Sequence, residues 1–353
     1  MNDLMSLFKE VKYPNFQKSL IDFGFIQKCE LNNNTISMLI QIPATSPKIA
    51  EQIRNECEII AKKNNYELDL IINQPKAQEQ EPVRAKIKNL APQIKHFVMV
   101  SSGKGGVGKS TTTLNLAISL AKQGLKVGLL DADIYGPNIP RMLESLNERP
   151  EVVADKLRPL SKYGIEFMSM GNLIEDGQSM IWRGAMIMKA IEQLLKDVLW
   201  SELDVLLLDM PPGTGDAQLT LAQSVPVSAG ICVSTPQSVS LDDSKRAIDM
   251  FNKLNIKIAG VIENMSGFIC PDCEKEHPIF GKGGAVNLAN EYDIDVLACI
   301  PLDMSIKNGG DDGKPVSYFQ PNSLVAKRYD EAAYKLIQFL KDIKADNSSI
   351  QPR

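Results

Sequence analysis

Short apolar runs bounded by glycine, proline and acidic residues recur from residue 97 onward. Phe97-Val-Met-Val100 is the first, followed by runs within 126–133, 165–170, 204–209, 229–234, 259–264 and 296–301. Runs of this length without alternation predict strands buried on both faces, as in a parallel sheet. Between them, apolar residues recur three and four apart. Leu114, Ala117, Ile118 and Ala121 mark one helix; Met186, Ala190, Leu194 and Val198 stripe another over 186–199. Leu336, Ile337, Phe339 and Leu340 mark a last helix over 324–344. The alternation predicts an α/β fold with a doubly wound, mostly parallel sheet.

The first 73 residues follow a different rhythm. A helix is expected over 16–23, then a hairpin of strands 26–31 and 35–42 turning at Asn32-Asn-Asn34. Pro47 opens a helix striped by Ile49, Ile53, Cys57, Ile60 and Ala61, and 67–72 supplies a third strand. This small α+β unit resembles the MIP18-type (DUF59) domain of iron–sulfur assembly proteins. Some members of that family carry a cysteine just before the helix-opening proline; here the position is Ser46, so no metal or catalytic role follows. Residues 74–92, polar and punctuated by proline, read as a linker. The second domain then spans 93–345, and 346–353 form a polar tail.

Composition narrows the function classes. A net charge of −4 argues against a general nucleic-acid or anionic-membrane surface. Six cysteines in 353 residues do not make a disulfide framework, the first residues lack a signal-peptide pattern, and no apolar run approaches a membrane span. A cytoplasmic protein with reduced thiols is expected.

Gly103-Lys-Gly-Gly-Val-Gly-Lys-Ser-Thr111 follows the first strand and opens the first helix of the sheet domain. The pattern G-x-x-x-x-G-K-S in that setting makes a phosphate cradle: backbone N–H groups of Gly103, Gly105, Gly106, Val107, Gly108 and Thr111 converge on phosphate oxygens. Lys109 would reach the β and γ phosphates and Ser110 would ligate Mg²⁺. Asp131 and Asp133 end the next strand at the same sheet edge, where ligands bind. Asp204-Val-Leu-Leu-Leu-Asp209 reads as a Walker B strand whose Asp209 holds a Mg²⁺-bound water. Gly213, in the turn after it, offers an N–H to the γ-phosphate. ATP and Mg²⁺ are the expected ligands.

Lys104 is a second lysine on the same loop. Lys-Gly-Gly-x-Gly-Lys-Ser resembles the deviant Walker A of the MinD/ParA/nitrogenase-iron-protein superclass. That resemblance implies a homodimer in which Lys104 reaches the partner's nucleotide. It also implies that Asp133 orients the attacking water while Asp131 supports Mg²⁺ and its water shell. Asn264 matches the superclass's adenine-contacting asparagine.

Cys270-Pro-Asp-Cys273 decides between the branches of that superclass. Two thiolates two residues apart can hold one soft metal centre, but a tetrahedral zinc or a [4Fe–4S] cube needs four ligands. Cys232 and Cys299 fall in expected core strands, and Cys29 and Cys57 look like packing residues. A two-fold axis through the Cys-x-x-Cys loops of a homodimer would supply four thiolates. A zinc knuckle completed by His277 and a redox dithiol remain alternatives. Ile134-Tyr-Gly-Pro-Asn-Ile-Pro140, Trp182-Arg-Gly184, Ile300-Pro-Leu-Asp303 and Gly309-Gly-Asp-Asp-Gly-Lys-Pro315 resemble the Mrp/ApbC-type iron–sulfur carriers. The family implies a homodimer that binds a labile [4Fe–4S] cluster, hydrolyses ATP and passes the cluster to apo-proteins, with scaffold proteins as further partners. The rival reading is a membrane- or DNA-positioning ATPase. Its basic C-terminal membrane helix is missing from the polar tail.

Overall fold

The computed structural model describes residues 2–13, 18–32, 34–42, 47–73, 89–134, 136–173, 184–270, 272–273 and 275–343. Contacts divide the chain into two compact units, Met1–Ala85 and Lys86–Arg353.

In the first unit, α1 (Asn2–Ser6) leads into a single 3-10 turn, Leu7–Glu10, followed by β1 (Ile26–Asn32), β2 (Thr35–Gln41), α2 (Pro47–Lys63) and β3 (Glu67–Asn73). β1 and β2 pair antiparallel and β3 joins β2 in parallel. Alternation explains the packing: Ile36, Met38 and Ile40 point from β2 onto Ile53 and Cys57 of α2, with Phe8, Val11 and Leu20 closing the core. The helix expected over 16–23 does not form over its described part. Residues 20–24 are a turn: Ser19 and Asp22 exchange the reciprocal bonds of a helix start, but Gly24 at φ 68° takes the chain out of helical geometry one turn later.

The second unit runs β4 (Ile94–Ser101), α3 (Lys109–Lys122), β5 (Val127–Asp131), α4 (Ile139–Met142), β6 (Val152–Val153), β7 (Lys156–Leu157), β8 (Leu160–Lys162) and β9 (Ile165–Ser169). It continues with α5 (Gly184–Lys196), β10 (Leu203–Asp209), α6 (Asp216–Ser224), β11 (Val227–Ser234), α7 (Ser238–Lys253), β12 (Ile258–Ile269) and β13 (Glu276–His277). The chain closes through α8 (Gly284–Tyr292), β14 (Val296–Leu302), α9 (Met304–Asp311), α10 (Val316–Phe319) and α11 (Leu324–Lys341). Among the described residues the central sheet is ordered β13-β12-β11-β4-β10-β5-β9-β8, with β14 also paired to β12. All its pairings are parallel except those of the edge strands β8 and β13.

Each face of this sheet has its own apolar layer. Val98, Val100, Leu129, Leu207 and Ile231 meet α3 and α11 on one side. Phe97, Met99, Leu130, Leu206 and Leu208 meet α5 and α6 on the other. Burial on both faces is why β4 and β10 read as unbroken apolar runs.

Three expectations need correction. The buried face of α5 is Ile187, Ala190, Ile191, Leu194 and Leu195, and Met186 is exposed. The end of the expected linker is packed, not free: Ala91 is fully buried and the Leu90 N–H donates to Ser224 O. β12 runs five residues past Asn264, carrying the chain out toward Cys270. No helix of the described residues is long and apolar enough to cross a membrane.

Candidate functional site

β4 and β10 deliver the cradle and the Walker B carboxylate side by side, because Val100 pairs with Asp209 across the ladder. The loop from Ser102 to Gly108 then turns into α3. Gly108 is the helix N-cap at φ 79°, and a Cβ there would collide with the Asn264 amide, so both backbone and contact demand glycine. The Asn264 Nδ2 donates to Val107 O at 2.8 Å, tying the end of the loop to β12. A cleft of about 450 Å³ opens over the loop.

The cleft wall brings together Lys104, Gly105, Gly106, Gly108, Lys109, Ser110, Thr111, Asp133 and Asn264. Lys104 is half-buried, and its ammonium has no ion-pair partner among the described residues. Lys109 is nearly buried: its ammonium donates to Asp209 Oδ1 at 2.7 Å and to Ser110 Oγ at 3.2 Å. Thr113, which sequence reasoning missed, places its hydroxyl 2.8 Å from the same Asp209 oxygen. The other oxygen, Oδ2, is buried with no hydrogen-bond partner among the described residues. An orphaned carboxylate oxygen beside a P-loop serine fits the donor set for a hydrated Mg²⁺.

Asp131 lies beneath the cleft rather than in its wall. It is fully buried and accepts from Ser169 Oγ (3.0 Å), the Ile139 N–H (3.3 Å) and the Asp133 N–H (3.2 Å). Burial first, and the neighbouring Asp209 charge second, push its carboxyl well above the usual range. Its oxygens are taken up by the backbone N–H groups of Asp133 and Ile139 and by Ser169, and Asp131 does not line the cleft. Asp133 is half-buried in the cleft wall, with Oδ1 accepting from the Gly136 N–H at 3.3 Å. The Gly213 N–H is engaged by Ser102 O at 3.0 Å, and Gln218 Nε2 clamps the same turn through Pro211 O and Gly213 O, both at 2.9 Å.

The far end of the cleft was not foreseen. Pro301, Leu302, Asp303 and Ile306 line it, and Arg141 of α4 joins them. Asp303 caps α9 through the Ser305 N–H at 2.7 Å. The signal was present, since Ile300-Pro-Leu-Asp303 directly follows an apolar strand at the ligand-binding sheet edge.

The cysteines separate by environment. Cys29, Cys57 and Cys232 are buried and Cys299 is half-buried, so that last residue is less enclosed than a core position. Burial pushes all four thiols up, Cys57 and Cys232 to about 12. Cys270 and Cys273 stand at the end of β12 on a loop that returns as β13, and Cys273 is exposed. Hydrogen bonds from the Cys273 and Asp272 backbone pull the Cys270 thiol down. His277 pairs with Phe268 on the hairpin ladder, and no group of three His, Cys, Asp or Glu donors exists among the described residues. Trp182 and Arg183 lie outside the described residues.

Residues 93–337 match the family model described as ParA, NUBPL iron-transfer P-loop NTPase. The chain belongs to this family. It is 50% identical to an iron-sulfur cluster carrier protein of Helicobacter pylori, over 99% of this chain and 96% of the relative. A Synechocystis protein of the same description is 40% identical over 92% of this chain and 93% of its own length. Among solved structures, a nucleotide-binding protein of Archaeoglobus fulgidus in complex with ADP superposes with a TM-score of 0.56 at 39% identity. That match covers 63% of this chain and 88% of that one. Both carrier relatives extend across the first unit as well as the P-loop NTPase unit.

Proposed function

We propose that this protein is an ATP-hydrolysing carrier of a [4Fe–4S] cluster, held between the Cys270 and Cys273 pairs of two copies of the chain. The observation that carries the reading is the pair itself. It stands on a loop led out by the strand that also carries Asn264, and within one chain it offers two thiols, two fewer than the cluster needs. The full-length relatives described as iron-sulfur cluster carriers support it.

The nucleotide half of the cycle follows from the cleft. Lys109 leaves Asp209 for the β and γ phosphates as ATP enters, and the loop N–H groups take the phosphate oxygens. Mg²⁺ would be held by Ser110 and, through water, by the freed Asp209 carboxylate; its charge offsets the phosphate charge. Asp133 orients the attacking water, while Asp131 keeps the backbone around it in register. Lys104 supplies a cation to the partner's nucleotide in the dimer. The cluster is cargo: it passes from the cysteine pairs to apo-proteins after delivery from scaffold proteins. We place this work in the cytoplasm, away from membrane and nucleic acid. The first unit is a MIP18-like module, and its connection to the P-loop NTPase unit ends before the packed Leu90 and Ala91.

Anaerobic reconstitution with iron and sulfide tests the proposal. About four iron atoms per dimer, two per chain, are expected, by the four-thiolate requirement of the cluster. A full cluster per monomer, or zinc retained through His277, refutes the shared site.

A further inference from the structure

We infer that Glu263 is the positioning residue through which the nucleotide cleft and the cysteine pair are coupled. The inference rests on the carrier reading for its purpose, but not for its geometry.

Glu263 is fully buried on β12, and its carboxylate has no cationic partner among the described residues. Three donors hold it instead. Oε1 accepts from the Ser266 hydroxyl and from the Gly283 N–H at 2.9 Å; Oε2 accepts from the Ala285 N–H at 2.6 Å. Gly281-Lys-Gly-Gly284 looks like a second anion cradle in the sequence, ahead of the nine-residue helix α8. The cradle is real, with Gly283 at φ 79°, and it is already filled by the chain's own carboxylate.

The placement of those donors gives Glu263 its role. Ser266 lies on the chain's way out to Cys270 and Cys273, and Gly283 on its way back. One carboxylate therefore closes the base of the excursion that carries both cysteines. Above this base the hairpin is held by short links: the Cys270 N–H to Lys275 O at 3.0 Å, the pair Phe268–His277, and the exposed ion pair Lys282–Glu276.

Asn264 is the adjacent residue, and successive strand residues face opposite sides of the sheet. Its amide holds Val107 O in the cradle while Glu263 holds the excursion behind it. Directly after them β12 bulges: Met265 (φ 56°) and Gly267 (φ 76°) take left-handed conformations, and the register with β14 shifts between Asn264 and Phe268. A bulge is where a strand can change its path without breaking the ladder on either side. Nucleotide entering beside Asn264 shifts this segment, and Glu263 passes the shift to Ser266 and Gly283, re-aiming the two thiols.

The test reads thiol accessibility in metal-free, reduced protein, so it stands apart from whether a cluster binds. Iodoacetamide alkylation of Cys270 and Cys273 is followed by peptide mass spectrometry, with and without saturating ADP. In the wild type, ADP should change both rates about fivefold, the lower end of ordinary site–site coupling. In Glu263→Gln one of the two oxygen positions becomes an –NH₂ that cannot accept, so the Gly283 or the Ala285 N–H loses its partner. ADP affinity there should stay within about twofold while the ADP effect on alkylation falls to about one. Ser266→Ala removes only the outgoing link and leaves the α8 cap, so the ADP effect should shrink part-way. If Glu263→Gln does not fold, Ser266→Ala decides alone. Alkylation indifferent to ADP in the wild type, or a full ADP effect in the folded variants, overturns the inference. Loss of the cluster in reconstitution with the ADP effect intact would refute the carrier reading and leave the coupling standing.

Discussion

Lys109→Ala should do more than abolish phosphate binding, because Lys109 is also the cation of a buried charge cluster. Its ammonium lies 2.7 Å from Asp209 Oδ1, and Asp209 and Asp131 are both fully buried. Removing one partner of a buried ion pair leaves an uncompensated charge and costs about 3–5 kcal/mol. The effect should appear in the second unit alone, and both tryptophans, Trp182 and Trp200, fall there. Urea unfolding followed by tryptophan fluorescence therefore reads the relevant transition. The same lysine replacement in an Asp209→Asn background should cost at least about 2 kcal/mol less, since the charge it would strand is already gone. A loss below about 1 kcal/mol, or an equal loss in both backgrounds, refutes the cluster's energetic role.

The sign of the pH dependence provides a second check. Asp131 is raised by burial and by Asp209 and lowered by Lys109, so deleting the lysine raises it further. A carboxyl with a raised folded pKa holds its proton in the folded state after the unfolded chain has released it. Its contribution to stability is present below the unfolded value, near 3.8, and is lost as pH rises through the folded one. The penalty of Lys109→Ala should thus grow only as pH rises past about 8, the wild-type folded value, and be larger at pH 9 than at pH 7. A penalty independent of pH would place the compensating charge elsewhere.

Three further outcomes are expected. Asp133→Ala should bind ATP within about threefold of wild type yet hydrolyse it at least about 100-fold more slowly in single turnover, since water positioning is lost and the cradle is kept; an unchanged rate removes Asp133 from the reaction. Asn264→Ala should weaken ADP about five- to tenfold by calorimetry, one buried hydrogen bond's worth, and unchanged affinity would make the residue a loop tie only. Cys270→Ala and Cys273→Ala should each lose reconstituted iron, whereas Cys29, Cys57, Cys232 and Cys299 should each tolerate replacement by alanine without iron loss. Iron lost from a folded Cys299→Ala variant would extend the site to β14.

Much of this was legible because fully buried parallel strands announce themselves. Val205-Leu-Leu-Leu208 has no polar position to offer, and Asp209 stands out as the residue that ends it. What the sequence hides is where the side chains go. Lys109 and Asp209 are 100 positions apart, and only the β4–β10 register brings them together. Asp131 and Asp133 look equivalent as two carboxylates at a strand end. Yet Ser169 and the Ile139 N–H, supplied by β9 and α4, bury the first and leave the second in the cleft wall. For α5, Ala190, Leu194 and, just past its end, Val198 are buried as the period predicts and only Met186 falls outside: Ile187, one residue on and equally apolar, starts the buried face, a choice periodicity alone does not make.

Glu263 is the clearest case of hidden chemistry. It sits inside Gly260-Val-Ile-Glu-Asn-Met265, where a charged residue in an apolar run suggests a strand end or a ligand contact. Neither holds, since the strand continues to Ile269 and the carboxylate faces α8. A buried carboxylate without a cation persists only where enough N–H and O–H donors converge on it, and three do. Two of those donors belong to the arms of a single loop, and that loop presents the cysteines. Desolvating Glu263 therefore fixes the base of the loop while its tip, with Cys273 exposed, stays open to a second copy and to cargo. A carrier must hold its cargo firmly enough to load and loosely enough to release. A rigid base next to the nucleotide strand, under an exposed tip bonded by a few short links, meets both requirements.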